Sequence, residues 1–231
     1  DAVIVAGGIA STDLGNAELY NGATWAEVND LNTARRKSTS CGTSTAALYI
    51  AGNQPPPSGG LTELWNGYTW TEVADLNTNR NSGTACGTTT AGLCWGGGSV
   101  NNESWNGSSW TETGNTNTAR TLAAASINAP NSNTLTFGNN DQSGITESWN
   151  GSAWTEVADL NTGRDNIGGA GVSNTSALAF GSGEPPPGTG HVETWNGTAW
   201  TNVQDMNSGV YANSGNGTST AAISSGGLQP P

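Results

Sequence analysis

Five stretches of this 231-residue chain are variants of a single text. Residues 18–35 read ELYNGATWAEVNDLNTAR, 63–80 ELWNGYTWTEVADLNTNR, 103–120 ESWNGSSWTETGNTNTAR and 147–164 ESWNGSAWTEVADLNTGR. A fifth copy, ETWNGTAWTNVQDMNSGV, begins at Glu193. The second aromatic of each copy (Trp25, Trp70, Trp110, Trp154, Trp200) recurs at intervals of 45, 40, 44 and 46 residues. A repeat of this length is one supersecondary unit that cannot bury its apolar face alone, so the copies must stack. They run from end to end, which makes residues 1–231 a single expected domain.

The residues within a copy select strands. Asn, Gly and β-branched residues dominate, and no apolar stripe persists at the helical period. Each unit parses into four strands, shown best by the fourth: RDNIGGAGV (164–172) as strand a, TSALAF (175–180) as b, HVETW (191–195) as c and TAWTNV (198–203) as d. Strand b alternates apolar residues, as in Leu48/Ile50, Leu93/Trp95, Leu135/Phe137 and Leu178/Phe180, with glycine within two residues of each pair. Asn-Gly at 21–22, 66–67, 106–107, 150–151 and 196–197 predicts a two-residue type I′ hairpin between c and d. That register would set Trp149 opposite Ser152 and Glu147 opposite Trp154. Three of the five Asn-Gly pairs are also glycosylation sequons, but the turn accounts for all five.

Five a, c and d strands imply a five-bladed, all-β propeller with four antiparallel strands per blade. Strand b appears six times, because AVIVAGG at the start and TAAISSGG at 220–227 are copies of one strand. A ring closed by pairing its terminal strands removes the exposed sheet edges of an open stack. The expectation is that residues 1–7 pair with the last strand a, leaving 219–231 surplus. The tail LQPP resembles the connection NQPPPSGG, as if the chain were cut from, or grew out of, a longer array. The stretch DAVIVAGG at the start has no basic n-region, so it is not expected to be a signal peptide.

Anchor positions follow from the repeat. Tyr20, Trp65, Trp105, Trp149 and Trp195 fill the first aromatic phase, and the five tryptophans given above fill the second. Each indole buries about 200 Å², worth on the order of 5 kcal/mol, so both phases are expected in the core between blades. Glu18, Glu63, Glu103, Glu147 and Glu193 share one phase, and Arg35, Arg80, Arg120 and Arg164 another, with Val210 in the fifth copy. Each arginine is expected to form a structural ion pair with a repeat glutamate. Cys41 and Cys86 fall in a phase that takes small residues elsewhere (Ser126, Ala170, Asn216) and are read as buried thiols, while Cys94 stands alone. Asp-Leu-Asn-Thr at 30–33, 75–78 and 159–162 reads as a turn between blades in preference to a metal loop.

The unit resembles the kelch motif of galactose-oxidase-like β-propellers. The likeness rests on the arginine, the small-residue strand, the glycines after strand b (Gly7-Gly8, Gly52, Gly96-Gly97), the aromatic of strand c and the tryptophan of strand d. It spans the whole chain, although the double glycine is broken at Gly138-Asn139 and Gly181-Ser182. Repeats of this Trp-Asn-Gly type are also similar to those of virion or tail-associated proteins of environmental bacteriophages and of bacterial surface proteins. Copper-radical catalysis does not transfer, because the chain has one histidine, His191. The sialidase Asp box lacks its aspartate here, and every arginine but Arg36 is taken up by the repeat.

Function is therefore expected in what departs from the repeat. The net charge is −12, with Lys37 as the single lysine, so nucleic acid and anionic membranes are repelled. Thirteen of the eighteen acids sit at three phases of the repeat, which spreads the charge around the fold. The b–c connections vary most, and two are proline-rich. Tyr68, Trp95 and His191 are the candidate ligand contacts. The expected protein is a non-catalytic structural or binding module without a cofactor, outside the cytoplasm on a virion or cell surface. Its partner would be a surface protein or glycan, within a larger assembly. The alternative is a lectin with equivalent sugar pockets between blades; a fragment of a propeller enzyme ranks below both.

Overall fold

The computed structural model describes residues 2–53, 59–182 and 189–228, with 21 strands and no helix among them. The first sheet holds β1 (Val3–Ile9), β2 (Asp13–Tyr20) and β3 (Trp25–Val28). The second holds β4 (Thr39–Thr43), β5 (Ala46–Ile50), β6 (Thr62–Trp65) and β7 (Trp70–Val73). Next come β8 (Gly83–Thr88), β9 (Ala91–Gly96), β10 (Asn102–Trp105) and β11 (Trp110–Thr113). The fourth sheet is β12 (Ala124–Ala125), β13 (Thr134–Phe137), β14 (Thr146–Trp149) and β15 (Trp154–Val157). The fifth is β16 (Gly168–Ser173), β17 (Ser176–Phe180), β18 (Val192–Trp195) and β19 (Trp200–Asn202). A two-stranded sheet, β20 (Tyr211–Gly217) with β21 (Ala222–Leu228), ends the series. All pairings are antiparallel between chain neighbours, which gives about five blades and a partial one.

The tryptophans of each sheet pack on the sheet before it. Trp65 and Trp70 meet Ala17, Leu31, Ile4 and Val28 of the first sheet. Trp105 and Trp110 meet Cys41, Leu48 and Ile50, and Trp149 and Trp154 meet Cys86, Leu93 and Trp95. Trp195 and Trp200 close over Leu135 and Phe137. Strand b is thus covered on both faces, since Ala47, Cys94 and Thr136 are buried along with the alternating large residues.

The inner strands carry small residues because they nearly touch. A Cβ on Gly169 would meet the Ala125 carbonyl oxygen at 2.4 Å, and one on Gly215 would meet that of Gly169 at 2.2 Å. Two residues beyond each arginine phase, Lys37, Ser82, Leu122, Asn166 and Ala212 all adopt positive φ, between 49° and 56°. Their backbones form a belt from blade to blade. Ser82 N–H donates to Lys37 O (2.8 Å), Leu122 to Ser82 (3.4 Å), Asn166 to Leu122 (3.1 Å) and Ala212 to Asn166 (2.9 Å). Strand a consequently starts later than its sequence pattern predicts, at Gly168 instead of Arg164 in the fifth sheet.

Two expectations are corrected. The c–d connection is a four-residue loop: Trp149 pairs directly with Trp154, and Glu147 with Glu156. The asparagine side chain governs it, for Asn150 Oδ1 accepts from both Ser152 N–H and Ala153 N–H at 3.0 Å. Such a local side-chain acceptor competes with the tighter backbone turn. The second correction concerns the termini: the last strand a, β20, pairs with β21 and not with residues 1–7, while β1 pairs with β2. A hairpin between chain neighbours closes a far shorter loop. Pairing β20 with β1 would also bring Val210, which has no positive charge, to the place where Glu18 needs an arginine.

Candidate functional site

The repeat's charged residues converge on one construction, built in four of the blades. The linker leaving each sheet is first fixed to that sheet, as Leu76 N–H donates to Gly60 O at 3.0 Å. Its next residues then grip the glutamate on strand c of the following sheet. Around Glu103, Asn77 donates from its backbone (2.7 Å) and its side chain (2.9 Å) to Oε2. Thr78 N–H (3.1 Å) and the Arg80 guanidinium (2.8 Å) donate to Oε1. Arg80 also donates to the carbonyls of Gly96 (3.2 Å) and Asn101 (2.7 Å), so both charges are satisfied out of water. The same pairs form between Arg35 and Glu63, Arg120 and Glu147, and Arg164 and Glu193, every side chain at most 2% exposed. The repeated asparagine is the partner that sequence reasoning assigned only to a turn; its fixed spacing from the arginine was the available signal.

The aspartate of the linker caps the start of strand c in its own sheet. Asp75 Oδ1 accepts from Thr62 N–H (3.2 Å), Asp159 from Thr146 (3.0 Å) and Asp205 from Val192 (3.3 Å). These contacts give the repeated aspartate a structural role in three of the sheets.

The three candidate ligand contacts separate widely. Trp95 is fully buried, 5.2 Å from Trp154 between ring centroids, and offers no surface to a ligand. Tyr68 lies at the tip of a c–d loop, 81% exposed. His191 stands at the start of β18 on a polar depression of about 620 Å³, lined also by Thr162, Asn202, Gln204 and Asp205. His191 Nδ1 and Asp205 Oδ2 are 3.2 Å apart, both side chains about half exposed. The floor is rigid, because Arg164 donates to the His191 carbonyl (2.6 Å) and to Glu193 (2.8 Å). Burial pulls the Arg164 guanidinium below its ordinary value, opposed by Glu193. The proline-rich loops expected to project from the b–c side fall at 54–58 and 183–188, outside the described residues.

The cysteines are free and buried. Burial pushes the thiols of Cys86 and Cys94 up to about 12 and raises Cys41 in the same way. They are packing groups with no nucleophilic character near neutral pH.

The sheet order, tryptophan packing and inner belt define an all-β, propeller-like protein. No family model matches the chain, and no curated protein matches it. Its fold is similar to that of the solved structure titled "Structure of YjhT", with a TM-score of 0.76 and 11% sequence identity, over 99% of this chain and 88% of that one. At that identity the likeness concerns the fold.

Proposed function

We propose that this protein is a non-catalytic binding module of kelch-like type, carried on a virion or microbial cell surface, where it recognises a surface protein or glycan. The observation that carries this reading is how the repeat spends its charge. Four arginines and four glutamates are buried as clamps between blades, so the conserved-looking chemistry of the repeat is structural. Exposed polar chemistry gathers instead where the fifth unit departs from the others, at His191, Asn202 and Gln204, beside the repeat's Asp205. His191 occurs once in the chain, which favours one recognition site over a ring of equivalent sugar pockets.

The test is binding of the labelled protein to a glycan array and to intact microbial cells, repeated with the double variant His191→Ala, Asp205→Asn. Saturable binding that the double variant loses, with an unchanged melting point, supports the proposal. Several equivalent glycan sites per chain would support the lectin reading, and chemical turnover of a bound glycan would overturn the non-catalytic one.

A further inference from the structure

The third sheet departs from the other four-stranded sheets at two neighbouring core positions. Where strand b carries Ile50, Phe137 or Phe180, the third sheet has Trp95. Where strand c begins with Thr62, Thr146 or Val192, it has Asn102. In the other sheets these two positions are cross-strand partners: Ile50 with Thr62, Phe137 with Thr146 and Phe180 with Val192. Extending the third sheet's register by one residue beyond Glu103 and Cys94 sets Asn102 opposite Trp95. Both side chains are fully buried.

The tryptophan of the following sheet packs on this pair. The ring centroids of Trp154 and Trp95 lie 5.2 Å apart, much as those of Trp200 and Phe137 lie 4.9 Å apart. Trp110 and Trp200 each give the indole N–H to the threonine that starts strand c of the sheet before, Thr62 or Thr146. Asn102 holds that place in front of Trp154, and no such bond joins them. Trp154 Nε1, Trp95 Nε1 and Asn102 Oδ1 are all buried and have no hydrogen-bond partner among the described residues. The Asn102 amide cannot be turned to relieve this, because its Nδ2 donates to Gly114 O at 3.2 Å and a turned amide would set two acceptors against each other.

Two donors and one acceptor are thus held together in a wall that is otherwise apolar, formed by Cys86, Leu93, Ala125 and Trp149. Buried polar atoms in folded proteins are almost always met, and an internal water typically makes about three hydrogen bonds to groups of this kind. We propose that the interface between the third and fourth sheets contains a binding site for one water molecule, which accepts from the indoles of Trp95 and Trp154 and donates to Asn102 Oδ1. Thr62 and Thr146 dispense with it in their interfaces, since a threonine hydroxyl reaches the indole directly.

A high-resolution crystal structure should show one ordered water within about 2.7–3.2 Å of all three atoms. In solution, the indole protons of Trp95 and Trp154 should show a magnetisation transfer from water that marks a long-lived bound molecule. The double variant Trp95→Phe, Asn102→Thr copies the Phe137 and Thr146 arrangement of the fourth sheet. It should lose both the water and the transfer to Trp154, whose N–H should move to the new hydroxyl, without a lower melting point. A direct bond from either indole to a protein acceptor in the unaltered protein, or no transfer from water to either indole, overturns the proposal. The unaltered protein decides the question by itself, so a variant that fails to fold does not obscure it.

Discussion

Arg120 donates to Glu147 within the fourth sheet with both side chains at most 1% exposed, although 27 residues separate them in the chain. Asn117 brings two more donors to the same carboxylate from its backbone (2.7 Å) and side chain (2.9 Å). The pair is thus both the tie within one blade and the anchor for the linker from the blade before.

Arg120→Met should lower unfolding free energy by about 3–5 kcal/mol, because it strands a buried carboxylate. Adding Glu147→Gln should cost less than the two single losses summed, since the partners are coupled. Arg36 is the contrast. Its pair with Asp13 is 33% and 21% exposed, so Arg36→Met should cost no more than about 1 kcal/mol. Denaturant titration of the four proteins checks this; equal losses at Arg120 and Arg36 would contradict it.

In two sheets the indole of strand d finds its hydrogen bond on the preceding sheet, whereas Trp154 Nε1 has no partner among the described residues. Trp110 Nε1–H donates to Thr62 and Trp200 Nε1–H to Thr146, both at 3.2 Å. Trp70 Nε1 has no partner, and the position in register with Thr62 is Ala17. Ala17→Thr should therefore stabilise the protein by about 1 kcal/mol, and Thr62→Val should destabilise it by about 1–2 kcal/mol by orphaning Trp110. Thermal denaturation of both variants gives the comparison.

The buried thiols set an alkaline limit. Cys86 and Cys94 titrate near 12 in the folded protein, against an ordinary value of 9.0. A folded-state pKa that is raised means that stability is intact below pH 9 and falls as pH climbs from there through about 12. Denaturation midpoints measured across pH 8–11 should decline, and Cys86→Ser combined with Cys94→Ala should flatten the decline. At pH 8 a thiol reagent should label none of the three cysteines until the protein unfolds.

Leu122 sits in the belt at φ 56°, a conformation that β-branched side chains resist. Leu122→Val should lose about 1–2 kcal/mol, while Leu122→Gly should lose less, because glycine reaches positive φ without a steric penalty. Equal losses in the two variants would place the cost in the leucine side chain and not in the backbone.

Much of this architecture was legible because each copy repeats the same physical solution. Trp65, Trp105, Trp149 and Trp195 announce the covered face, and the period announces antiparallel units of four strands. That each arginine pairs with a repeat glutamate was legible from phase, but that Arg80 takes Glu103 of the following copy was decided by the fold. The four-residue c–d loop was misread because Asn-Gly signals a tight turn through backbone preference, whereas Asn150 uses its side chain as the acceptor. Trp95 was singled out because it departs from the anchor phases, although its place in the Leu93/Trp95 alternation of strand b already pointed to the core. The depression beside His191 was visible only as an isolated histidine, because Asp205 reaches it across the sheet.

The sequence by itself determined which residues share a role, since residues in one phase of a repeat meet the same surroundings and must solve the same packing problem. Tertiary structure alone decided the belt through Lys37, Ser82, Leu122, Asn166 and Ala212, five different side chains joined by backbone groups that no residue type encodes. It also decided that β20 pairs with β21 and not with β1. A repeat records what each unit needs from its neighbours; only the assembled sheets reveal how those needs are met.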